Sequence, residues 1–100
     1  MVRHVILWQL KDEFSEEEKK KIKAEAKEGL EALKGVVPGL TEIRVHTEGL
    51  ASSNADMMLD SAFESEEALK GYSVHPAHVA VAQGKVRPFT KARFCLDFED

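Results

Sequence analysis

A ferredoxin-like α+β domain is the fold class this sequence predicts, with the element order β-α-β-β-α-β and a four-stranded antiparallel sheet. Three observations carry it. Four short stretches alternate or run apolar in the manner of strands, and the stretch from Ser15 to Lys34 repeats its apolar residues at helical spacing. A second helical region, opening near Ser65, separates the third strand from the fourth. With 100 residues and no repeat, low-complexity tract or linker, the chain reads as a single domain, 1–100.

The first strand, Val2 to Lys11, places His4, Ile6, Trp8 and Leu10 on one parity and Val5 and Leu7 on the other, so both faces are apolar. After a turn at Asp12 to Phe14, Ser15 opens the long helix. Ser15 and Glu18 form a capping box, and Glu16, Glu17 and Glu18 suit the positive helix end. Ile22, Ala26, Leu30 and Leu33 make the buried stripe. The lysines at 19, 20, 21, 23 and 27 are interleaved with Glu17, Glu18, Glu25 and Glu28, which reads as a solvated face rather than a basic patch. Lys34 and Gly35 end the helix, and Val36 to Gly39 form a turn.

Leu40 to Thr47 is the second strand, with Thr41, Ile43 and Val45 opposed by Glu42, Arg44 and His46. A polar loop, Glu48 to Ala55, leads to the third strand, Asp56 to Phe63, in which Met57, Leu59 and Phe63 oppose Met58 and Ala62. Ser65 caps a short helix through about Leu69, stopped by Gly71. The segment from Gly71 onwards reads as a loop, until Pro76 takes the first position of a helix reaching about Val86, with His75 as its boundary residue. Lys91 to Phe98 is the fourth strand, with Ala92, Phe94, Leu96 and Phe98 on one parity.

Composition narrows the function classes. With 43% hydrophobic and 32% charged residues, the chain has the make-up of an ordinary soluble domain. No run approaches the roughly 18 apolar residues of a membrane span, and the start lacks a signal-peptide cleavage site, so no membrane partner and a cytoplasmic setting are expected. A net charge of −4 with mixed signs excludes a basic nucleic-acid face. The single Cys95 lies inside a strand and is expected to be a buried, inert thiol. Helices in this topology cover one sheet face. The apolar residues on the other face would form a large exposed patch, so a homodimer through the sheet faces is expected.

Chemistry concentrates in Gly71 to Val81, which holds Tyr72, His75 and His78. His78 falls in the first turn after Pro76, on the arc of Val81 and Ala82, and is expected to face inward. His75 is expected to serve the backbone or solvent. His75 and His78 have an i, i+3 metal-pair spacing, with His46 or His4 as a third ligand. They lack a carboxylate or cysteine at ligand spacing, so no metal is expected. No phosphate loop or Ser-His-Asp set is present, and no cofactor is expected.

The start Val2-Arg3-His4-Val5-Ile6-Leu7-Trp8, the segment Gly35 to Leu40, the segment Phe63 to Leu69 and above all His75-Pro76-Ala77-His78-Val79 resemble the stress-responsive dimeric α/β-barrel (Dabb) family over essentially the whole chain. The resemblance implies that two sheets pair across a two-fold axis into a dimeric α/β barrel. It does not imply one activity, since related barrels carry several chemistries. The family's olivetolic acid cyclase-type polyketide cyclases close a linear chain by a cofactor-free aldol condensation. They are similar here at Tyr72 and His78, which match their catalytic residues, and at His4, which matches a pocket-lining histidine.

Such chemistry needs a base for an acidic C–H and a donor for the carbonyl; a neutral His78 and the Tyr72 hydroxyl supply both. His4 and Trp8 are then the expected substrate-binding residues of a small hydrophobic pocket. The plainer reading makes His78 a buried, satisfied histidine, Tyr72 a packing residue and Trp8 core, in a non-catalytic, ligand-binding or oligomeric stress-related protein. A cavity of a few hundred cubic ångströms reached by His78 and Tyr72 favours the enzyme; an imidazole bonded only to backbone favours the alternative.

Overall fold

The computed structural model describes residues 1–100. In order, the elements are β1 (Val2–Leu10), α1 (Glu16–Glu31), β2 (Leu40–His46), β3 (Met57–Phe63), α2 (Glu66–Val74), α3 (Pro76–Val81) and β4 (Thr90–Glu99). A π-helical turn, Ala82–Val86, and a 3₁₀ turn, Arg87–Phe89, join α3 to β4. The sheet runs β2-β3-β1-β4 with every neighbouring pair antiparallel. This is the ferredoxin-like arrangement the sequence predicts.

Pleating sends alternate residues of β1 to the helix side, where Val2, Ile6, Trp8 and Leu10 are buried together with His4. Met57, Leu59 and Phe63 of β3 share that side, and Ile22, Ala26 and Leu30 of α1, with Leu33 just beyond it, close over them. The capping box forms as expected. The Glu18 N–H donates to Ser15 Oγ at 3.1 Å, and the Ser15 N–H donates to Glu18 Oε1 at 2.9 Å. At the other end Glu31 pins α1 to β2 by accepting from the Val45 N–H at 2.9 Å.

No helix covers the second face. Register places Leu7 opposite Phe94, Val5 opposite Leu96 and Arg3 opposite Phe98, all on this side. Phe94 is 63% and Leu96 65% exposed. Towards β2 the same face turns ionic, where Arg3 bridges Glu42 at 2.9 Å and Asp60 at 2.6 Å.

Several expectations are corrected. The helix after Ser65 does not stop at Gly71 but runs to Val74, because Gly71 is tolerated on an exposed surface. What ends it is His75, held extended (φ −64°, ψ 130°) ahead of Pro76. Tyr72 therefore stands on a helix rather than in a loop. The helix from Pro76 loses α geometry after Val81, five residues short of the expected Val86, and passes through the π and 3₁₀ turns around Pro88. Strand ends shift by a residue or so, as fraying ends do. Cys95 is exposed rather than buried. It lies on β4, an edge strand, on the helix-side face beyond the reach of the helices.

Candidate functional site

Three elements converge under the sheet's helix side. α2 delivers Tyr72, α3 delivers His78, and β1 delivers His4 and Trp8. All four line one cavity of about 90 Å³, whose walls also include Leu59, Arg87 and Arg93. The four residues singled out from the sequence are thus neighbours in space. Trp8 is at once core and wall, being 5% exposed.

Aromatic rings set the spacing. Tyr72 packs edge-on to Phe63, with centroids 5.0 Å apart, and to His4 at 6.0 Å, while His78 lies over it at 4.1 Å with a 33° tilt. Edge contacts of this kind suit the aromatic quadrupole. The Tyr72 hydroxyl is buried and has no hydrogen-bond partner. Burial drives its pKa well above the ordinary 10.0, opposed only in part by Arg93, so the phenol stays protonated and remains a donor.

His78 Nδ1 lies 3.4 Å from the Ser73 carbonyl, a long contact in which the ring N–H donates and Nε2 keeps its lone pair. Burial is the leading cause that pulls the His78 pKa below 6.5. The Ser73 carbonyl opposes this, and His4, Arg87 and Arg93 add to it. Desolvation, more than the positive end of a short helix, keeps this imidazole neutral. His75 takes the boundary role expected of it: its Nδ1 accepts from the Ala77 N–H at 3.1 Å. His46 sits at the β2 end on the uncovered face, across the sheet from His4, and so cannot join His75 and His78 as a third ligand.

His4 carries contacts the sequence did not announce. Its Nδ1–H donates to Asp97 Oδ1, and Cys95 Sγ lies 3.7 Å from the same nitrogen. The Cys95 thiol donates to Asp97 Oδ1 at 3.4 Å. Burial first, then the hydrogen bond to Asp97, raises the thiol pKa, the reverse of what a reactive nucleophile needs.

A four-stranded antiparallel β-α-β-β-α-β sheet with one bare face and a small cavity on its helix side is a ferredoxin-like architecture. The family model for the stress responsive A/B barrel domain (Dabb) matches residues 2–100, and the chain belongs to that family. Among solved structures it is similar to a dimeric protein with a ferredoxin-like fold from Bacteroides fragilis, at 29% identity and a TM-score of 0.93, covering 99% of this chain and 95% of that one. A Dabb family protein from Mesorhizobium loti matches at 20% identity and a TM-score of 0.75, with 99% and 95% covered. A hydroxynitrile lyase from Passiflora edulis matches at 19% identity and a TM-score of 0.72, with 97% and 90% covered. The two lower likenesses show the fold. None of the curated proteins matches the chain.

Proposed function

We propose that this protein is a cytoplasmic homodimer, paired through its bare sheet faces, that binds a small carbonyl compound in the His78–Tyr72 cavity and moves a proton on it without a cofactor. The observation that carries the reading is the Tyr72 hydroxyl, a buried donor without a partner on the wall of a cavity that His78 also lines. Leaving such a donor unpaired costs stability, and a ligand carbonyl oxygen would satisfy it. His78, held neutral, takes the α-proton through Nε2, and the enolate oxygen that develops is stabilised by the Tyr72 hydroxyl.

Size restricts the ligand. An apolar cavity of about 150 Å³ holds benzene, whereas this one is about 90 Å³. It accommodates the reacting carbonyl end, not an aromatic ring or a folded polyketide. A groove of about 420 Å³ between α2 and β4 shares Ser73 with the cavity and offers room for the rest of a longer molecule. The cavity therefore falls short of the few hundred cubic ångströms expected for cyclase-like chemistry.

A second reading, ligand binding without catalysis, is favoured by the His78 hydrogen bond, which goes only to backbone. One experiment separates the two. Short ketones and phenolic ketones are screened by thermal shift, and hits are followed by NMR for exchange of α-protons with deuterated solvent. Binding with exchange that is lost in His78→Gln supports the enzyme. Binding with no exchange supports the second reading, and no binding at all overturns both.

A further inference from the structure

We propose that His4, Cys95 and Asp97 form a three-ligand site for a borderline divalent cation of the zinc type, with a fourth coordination position left for water or another ligand. Nothing in the proton-transfer reading requires this site: it shares His4 with the wall of that cavity and adds Cys95 and Asp97 of β4.

Strand geometry builds the set. Cys95 and Asp97 are two apart on β4 and so share a face; Asp97 is the register partner of His4, and Cys95 that of Ile6. Nδ1 of His4, Sγ of Cys95 and Oδ1 of Asp97 are thereby turned towards one point, all within 4.8 Å of one another. In a tetrahedral zinc site, Zn–S of about 2.3 Å and Zn–N of about 2.05 Å put sulfur and nitrogen about 3.6 Å apart. The present separations are 3.7 Å from Cys95 Sγ to His4 Nδ1 and 3.4 Å from Cys95 Sγ to Asp97 Oδ1. The His4–Asp97 hydrogen bond must open to about 3.3 Å to admit the ion. Asp97, the more exposed of that pair, can make this move while His4 stays seated in the core.

The donor set also selects the ion. One thiolate, one imidazole and one carboxylate suit zinc or a similar borderline metal and leave magnesium and calcium, which favour oxygen alone, poorly served. As a ligand His4 would supply the Nδ1 lone pair with its proton on Nε2 and Asp97 a carboxylate oxygen, and the Cys95 thiol releases its proton to solvent as the sulfur–metal bond forms. Access exists, because Asp97 lines the outer groove beside Glu66 and Glu99 while His4 lines the inner cavity. The cations close by are Lys70 in the groove, at longer range, and Arg93 on the same face of β4, whose guanidinium lies within hydrogen-bonding reach of the Cys95 sulfur and must turn aside for the ion to enter.

Cobalt(II) and zinc(II), added to the purified full-length protein, test the site. Wild type should show a thiolate-to-cobalt charge-transfer band that zinc abolishes, and binding should release a proton, seen as a buffer-dependent heat. Cys95→Ser should lose the band, and Asp97→Asn should weaken binding by about a hundredfold. Both residues are exposed, so both variants should fold like wild type by circular dichroism. Absence of the band in wild type, or cobalt binding of equal strength in wild type and Cys95→Ser, would overturn the proposal.

Discussion

The rings of Tyr72 and His78 lie 4.1 Å apart, and the hydroxyl of that tyrosine is buried without a hydrogen-bond partner. Two desolvated polar aromatics from adjacent short helices thus share one wall of a cavity, and burial pushes their proton affinities in opposite charge senses towards the same result. The phenol stays protonated and the imidazole stays neutral. The unpartnered hydroxyl is a burden to the fold.

The burden is measurable. Replacing Tyr72 by Phe removes an unpaired buried hydroxyl and keeps the ring, so the ligand-free protein should gain about 1–2 kcal/mol. The urea midpoint should rise with an unchanged slope. A loss of stability would show that the hydroxyl is already satisfied and that the ligand argument lacks its basis.

His78 should make the protein sensitive to mild acid. Its folded pKa lies below 6.5, the value expected when unfolded, so below that value the unfolded chain takes up a proton that the folded chain refuses. The stability His78 contributes as a neutral residue is therefore present above pH 6.5 and declines as pH falls towards its folded pKa. Denaturant melts of wild type and His78→Gln compared across this window should show the wild type losing more. Parallel curves would mean that His78 titrates normally.

The bare face predicts an assembly state. Phe94 and Leu96 stand out from β4 beside Leu7 and Val5 of β1, and a contiguous apolar patch of this kind is costly to leave wet. Light scattering should give wild type twice the mass of one chain, and the double variant Phe94→Glu, Leu96→Lys should give one. A single-chain mass for wild type at micromolar concentration would remove the dimer from the proposal.

Two glycines with positive φ separate backbone strain from crowding. Gly35 (φ +88°) has open space where a Cβ would stand, so Gly35→Ala should cost only the left-handed penalty of about 1 kcal/mol. At Gly39 (φ +81°) the added carbon would lie 2.5 Å from the Ala68 Cβ on α2, and Gly39→Ala should cost roughly 2–4 kcal/mol. Thermal melts of the two variants should differ in that order; equal losses would show that α2 yields without cost.

Much of the fold was legible because its signals are local. The capping box at Ser15 and Glu18, the apolar stripe on α1, and the two-residue alternation of β1 and β2 each depend on neighbours a few positions away. The inward position of His78 followed from Pro76 two residues before it, and strand parity grouped His4 with Ile6, Trp8 and Leu10 without saying which face the helices cover. Gly71 misled because helix-breaking tendency is a small energy, overridden when Leu69 and Tyr72 bury against the sheet. Cys95 misled because a place inside a strand does not say whether anything covers that part of the sheet, and β4 is an edge strand.

Sequence alone thus determined the order of elements, the apolar faces and the chemical character of the stretch around Tyr72 and His78, all through periodicities and caps that act over a turn or less. Only the tertiary structure decided that β4 lies at an open edge, that the cavity is about 90 Å³, and that Asp97 and Cys95 stand beside His4. His4 and Asp97 are 93 positions apart, and their meeting is a matter of strand register. Register is set by which faces the whole sheet buries, a sum over long-range contacts that no short stretch of the chain encodes.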